Sequence, residues 1–166
     1  MRLRTAAAAA LVTVAVAGLL LWQRRYSGDE REVRASLASL AEDFNASTTD
    51  GLGTVARAVE LGSYFAEDVV VDLGPGSGPI EGRLTLIGMA ERLQPRTSAF
   101  RVTLDDVGVE MGTGNQQADV TLTAIFTRRS ITTGEQSVDA REFALTMRKT
   151  EGRWRIERAT AIDALR

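Results

Sequence analysis

The hydrophobic period of this chain changes at Pro95, and that change limits what it can fold into. Ahead of it, Val33, Leu37, Leu40 and Phe44 recur at spacings of four, three and four, an apolar stripe that predicts a helix. Asn45 to Gly53 breaks that pattern with Ser, Thr, Asp and Gly, and a second helix is expected over 54–65, with Val55, Val59 and Leu61 to Phe65 apolar. Val69-Val70-Val71 reads as a short strand and Gly74 to Pro79 as a loop. A third helix is expected over 83–93, presenting Leu86, Met89, Ala90 and Leu93. Beyond Pro95 the period is two. Phe100, Val102 and Leu104 alternate with polar residues, and after Asp105-Asp106 the apolar parity flips to Val107, Val109 and Met111. An inserted residue produces such a flip, so a β-bulge is predicted at the Asp pair. Gly112 to Asn115 turns the chain into a strand carrying Ala118 to Phe126, and Val138 to Arg148 forms a hairpin with Trp154 to Ile162 through Glu151-Gly152. Helices followed by a long antiparallel, bent sheet predict an α+β fold with the helices on one face.

Composition narrows the chemistry. The chain has no Cys and no His, which removes thiol nucleophiles, Ser-His-Asp triads, zinc sites of the usual ligands and haem held by His or Cys. Neither a metal nor a cofactor is expected. An enzyme built from these residues would have to run on carboxylates, Tyr, Arg or Lys149, the single lysine. Four of the 20 basic residues and none of the 22 acidic ones lie in the first 25 positions, so the remainder is acid-rich with its cations scattered. No nucleic-acid partner is expected, because such binding needs a concentrated basic face.

The run Thr5 to Trp22 is uncharged and flanked by Arg2, Arg4, Arg24 and Arg25. As a helix it would be about 27 Å long, enough to cross the hydrocarbon core of a bilayer. Ala15-Val16-Ala17 offers a signal-peptidase pattern, but cleavage there would leave Gly18 to Trp22 as an apolar terminus, which favours an uncleaved anchor. The expected organisation is an anchor over 1–25, a stalk over 26–29 and one domain over 30–166. Arginines flanking the run favour a cytoplasmic domain, whereas the basic tip followed by an apolar run is that of an export signal. The export-like arrangement is preferred, giving a single-pass inner-membrane protein of a bacterium with its domain in the periplasm.

Tyr64-Phe65-Ala66-Glu67-Asp68-Val69-Val70-Val71-Asp72, the Gly/Pro loop, Ile80-Glu81-Gly82-Arg83 and the final hairpin around Glu151-Gly152-Arg153-Trp154 together resemble the nuclear transport factor 2-like superfamily, which includes SnoaL-like cyclases and ketosteroid isomerases. The resemblance spans Asp29 to about Leu165. It implies a cone with a deep apolar pocket between helices and curved sheet, with Phe44, Phe65, Leu73, Met89, Leu93, Phe143 and Met147 lining it, and a homodimer through the open sheet face. Val107, Val109, Leu122, Phe126 and Trp154 offer more apolar strand surface than one helical layer need cover, which also favours an interface. In the isomerases an Asp near the loop is the base. Ungapped alignment puts Leu73 there with Asp72 one residue before, on the opposite strand face. The acidic oxyanion donor falls at Ala144, and the first helix has Leu40 and Phe44 but no Tyr. These losses imply a non-catalytic binding or dimerisation domain. The alternative is a small SnoaL-like enzyme, an isomerase, cyclase or hydrolase of an apolar ligand, using Asp72 or Glu142 with Tyr64.

Bland readings stand beside the sharper ones. Asp72 reads as a solvated strand-end carboxylate, and Asp105-Asp106 as a surface bulge rather than a cation site. Gly74 to Gly78 lacks the Lys-Ser/Thr of a phosphate loop. Tyr64 at a helix end is expected simply to pack. Arg128-Arg129 and Arg153-Arg155-Arg158 read as a solvated outer face before a lipid-binding one. Asn45-Ala46-Ser47 matches a glycosylation acceptor, relevant only in a eukaryotic secretory setting.

Overall fold

The computed structural model describes residues 28–46, 51–93, 98–130 and 133–162. Helix α1 is described over 28–45. After it come α2 (Gly51–Gly62), β1 (Phe65–Asp72), β2 (Ile80–Glu81), α3 (Arg83–Leu93), β3 (Ser98–Met111), β4 (Gln117–Ser130), β5 (Gln136–Thr150) and β6 (Arg153–Ile162). The strands form one sheet in the order β2-β1-β6-β5-β4-β3, antiparallel at every step except between β1 and β6.

Local chemistry explains the turns. Glu151 and Gly152 both take positive φ, 54° and 75°, so the two-residue loop between β5 and β6 matches the right-handed twist of its strands. Asn115 and Gly114 do likewise after β3, where Gly112 N–H donates to the Gln117 carbonyl at 2.8 Å. The bulge falls where the parity flip predicts it. Asp105 pairs with Thr123 and Gly108 with Thr121, leaving two residues opposite Leu122, with Asp106 at φ 51°. Both aspartates are exposed. The bulge bends β3 and keeps Val102, Leu104, Val107 and Val109 on the helix side of the sheet.

Two expectations change. Helix α2 ends at Gly62, not at 65, and Gly62 allows the close approach to α3, since a Cβ there would stand 2.6 Å from Ile87 Cδ1. Tyr64 is therefore in a turn, and Phe65 opens a strand of eight residues rather than the three expected. Among the described residues no helix is long and apolar enough to cross a membrane. The anchor expected over 5–22 lies outside the described residues.

Helix α1 lies across the inner sheet face and is tied at both ends. Lys149 Nζ reaches Asp29 and Glu32, each at 2.7 Å, and stands 5.6 Å from the Trp154 ring centroid. At the other end Asn45 exchanges two 2.7 Å hydrogen bonds with Val102 N–H and C=O, imitating a neighbouring strand along the edge of β3. Arg34 also donates to the Val107 carbonyl on that edge. Asn45 is thus an engaged, part-buried side chain, which removes the glycosylation reading of Asn45-Ala46-Ser47. The core beneath α1 contains Val33, Leu37, Val120, Met147 and Trp154, all at most 4% exposed.

Candidate functional site

Between Leu37 and the tie of Asn45 to β3, a half-enclosed cavity of about 290 Å³ opens between helix and bent sheet. Helix α1 contributes Leu40, Ala41 and Phe44 to its wall, α2 contributes Ala58 and Leu61, and α3 contributes Leu86 and Ile87. The sheet closes it with Val71, Leu122, Phe126, Phe143 and neighbouring residues. Phe44 meets Phe100 edge-on at 5.9 Å, and Phe100 stacks on Phe126 at 6.0 Å, forming an aromatic border.

Among the described residues every lining side chain is apolar except Arg57. Its Nη2 donates to the carbonyl of Phe44 near the C-terminal end of α1, where helix carbonyls lack internal partners. Its Nε is out of contact with solvent and has no hydrogen-bond partner. Sequence reasoning missed Arg57. The available signal was its position four residues before Leu61, which puts both on one face of α2.

The expected pocket residues divide. Phe44, Phe65, Leu73 and Phe143 line the cavity. Met147 is in the solid core away from the wall, and Met89 is 38% exposed on α3. The side chain of Leu93 lies outside the described set. Phe65 and Leu73 reach the wall from the two ends of β1, Phe65 as its first residue and Leu73 just past its last, two residues after the lining Val71.

The three catalytic candidates are not in the wall. Asp72 sits between Val71 and Leu73, and its Oδ1 accepts the Gly74 N–H at 2.9 Å, a turn-forming contact at the strand end. Glu142 is exposed, one residue before the lining Phe143 and thus on the other face of β5. Tyr64 donates its hydroxyl to Asp43 on α1. Burial, reinforced by that carboxylate, pushes its pKa up to about 12. It is a neutral phenol holding α1 to the start of β1. Among the described residues no group of three or more carboxylates could hold a metal ion.

The apolar surface expected to mark a dimer interface is accounted for internally. Leu122 and Trp154 are buried, Phe126 is in the cavity wall, and Val107 and Val109 pack on the core. The outer face instead presents Ile125, Ala140 and Val138 among threonines, with Val138 61% exposed and Ile162 42%. The arginine pairs separate too, since Arg128 follows the inward parity of Phe126 while Arg129 faces outward.

Over residues 54–160 the sequence matches the SnoaL-like domain model. No curated protein matches it. Solved structures with the same fold include a candidate scytalone dehydratase from Novosphingobium aromaticivorans, 14% identical with a TM-score of 0.69 over 84% of this chain and 87% of that one. A nuclear transport factor 2-like protein with a cystatin-like fold from the same organism is 18% identical, with a TM-score of 0.66 over 88% of this chain and 90% of that one. A candidate dehydratase of the nuclear transport factor 2-like family from Streptomyces avermitilis is 16% identical, with a TM-score of 0.66 over 84% and 99%. At these identities the likeness shows the shared α+β cone.

Proposed function

The chain belongs to the SnoaL-like domain family, and from that premise we propose that it is a membrane-tethered domain that binds an apolar small molecule without transforming it. One observation carries the reading: among the described residues the cavity wall contains no carboxylate, phenol or hydroxyl, and its single polar side chain is a guanidinium. General acid–base catalysis needs a titratable group within ~3 Å of the proton it moves, and Arg stays protonated. An apolar void of this size, half open, suits a small hydrophobic ligand. The test is titration of the full-length protein with a fluorescent apolar probe, together with an isomerase and dehydratase assay on ketones and β-hydroxy ketones. Saturable binding without turnover is the expected result.

Two structural neighbours are named candidate dehydratases, which favours the enzyme reading as the rival. If that rival holds, activity in the native protein disappears in Asp72→Asn, Glu142→Gln or Tyr64→Phe. If the binder reading holds, all three bind the probe normally. Leu73→Asp then places a carboxylate in an apolar wall, where desolvation raises its pKa and weak proton abstraction becomes measurable.

The tether rests on the uncharged run Thr5 to Trp22. Full-length protein should remain with membranes through salt and carbonate washes, with the domain reached by protease only from the periplasmic side. Release by salt alone would remove the tether from this reading. A homodimer through the outer face is proposed on Ile125, Val138 and Ile162, apolar groups otherwise left to water. Val138→Lys should convert dimer to monomer in sedimentation, and a native monomer at high concentration would exclude the interface.

A further inference from the structure

The cavity's charge is confined to one border. Arg57 is the only charged residue in the wall, and no acid among the described residues bonds to it. Arg141 follows the parity of the lining Phe143 one pleat further out on β5, pairs in register with the lining Ala124, and reaches the carbonyl of the lining Leu73 at 3.5 Å. Its one anionic partner is Asp139, a single contact of 3.4 Å between exposed groups, and such pairs hold weakly. Arg128 stands one pleat beyond Phe126 on the same side of β4. Arg57 in the wall is thus accompanied by Arg141 and Arg128, each one pleat beyond a lining residue of its own strand, with Asp139 beside Arg141. Arg57 is the least satisfied of them, with one bond to Phe44 and a desolvated Nε without a partner. Leaving a buried cationic donor unpaired is costly, and an anionic oxygen is the partner that planar guanidinium chemistry fits best.

We propose that the cavity takes a single-chain or single-ring apolar acid, its hydrocarbon inside the wall of leucine and phenylalanine and its carboxylate at Arg57 and Arg141. This rests on the reading of the void as a ligand site. The volume, about 290 Å³, is at the low end of the ~300–1,000 Å³ of small-molecule pockets, which suits one short chain and excludes a two-chain lipid.

The experiment is isothermal titration of the full-length protein in phosphatidylcholine nanodiscs, against empty nanodiscs, with octanoate, octanol and octylammonium. Octanoate should bind about 10- to 100-fold tighter than octanol, the range of a charge-assisted hydrogen bond, and octylammonium should bind worst. Arg57→Gln should erase the preference for octanoate, bringing its affinity to that of octanol. Arg141→Gln, at an exposed side chain that the fold does not need, should reduce the preference several-fold and serves if Arg57→Gln fails to fold. Equal affinity for octanoate and octanol in the native protein, or an undiminished preference in both variants, overturns the inference and leaves the apolar site standing. No binding of any of the three overturns the ligand site itself.

Discussion

One face of one sheet is used in two ways. Toward the β5–β6 turn, Val33 and Leu37 of α1 are buried with Val120, Met147 and Trp154, all at most 4% exposed. Toward the Gly74–Pro79 loop, the same helix and the same strands present Phe44, Leu122, Phe126 and Phe143 to a void. Residue types hardly differ between the halves. What differs is position: the filled end carries the clamp of Lys149 on Asp29 and Glu32, and on β3 the lining residues Val102 and Leu104 stand on the other side of the bulge at Asp106. The solid half supplies close packing, in which every missing methylene is felt. The hollow half gives up dispersion contacts along its lining and gains a place for a guest.

The sharpest way to break this contrast is truncation in both halves. Trp154→Ala should cost ~3–5 kcal/mol in urea unfolding, as loss of a large close-packed side chain does. Phe143→Ala, beside existing void, should cost about half as much, since part of its surface has no protein partner to lose. Equal costs would mean that the cavity collapses in solution.

Adding volume reverses the pattern. Ala118→Leu in the solid half should destabilise by ~1–3 kcal/mol through overpacking. Ala58→Leu should change unfolding by less than about 1 kcal/mol, yet abolish binding of an apolar probe, because the new side chain occupies the guest's space.

The ties of α1 give the smallest effects. Tyr64→Phe at the hollow end, which loses one hydrogen bond, and Lys149→Met at the solid end, which loses two partly exposed ion pairs, should each cost ~1 kcal/mol at neutral pH. Both parent groups have raised pKa values, Tyr64 through burial and then Asp43, Lys149 through its hydrogen bonds to Asp29 and Glu32. An unfolded phenol ionises near ~10, whereas the folded one keeps its proton to about 12. The folded state thus binds more protons in that range, and stability falls as pH rises through it. The lysine acts in the same direction, its pKa being raised above the ordinary 10.5. Alkaline unfolding curves should flatten in each variant, and most in the double variant. Hydrogen exchange should localise the Tyr64→Phe effect to the last turns of α1.

Much of this was legible in the chain because it is local. The bulge followed from a parity flip at Asp105-Asp106, the β5–β6 turn from Glu151-Gly152, and the limits of α3 from Gly82 and the period after it. Tyr64 and Phe65 were misread as helical because Leu61 to Phe65 is one run of mostly apolar residues, and only a distant strand separates them: Phe65 pairs with Ile156. Met147 was misplaced for a related reason. It shares a strand face with Phe143, and nothing local tells which of the two sits under the close-packed part of α1. The void, and Arg57 at its border, arise from the divergence of elements far apart in sequence, which no window of neighbouring residues contains.

The parallel pairing of β1 with β6 has a consequence during synthesis. The first long strand of the sheet finds its partner only when the last has left the ribosome, with four strands made in between. At ~5–20 residues per second the Val69-Val70-Val71 segment waits for seconds with one edge unpaired, a template for wrong strands. Nascent chains stalled before Trp154 should therefore recruit chaperones, and release should coincide with emergence of the final hairpin.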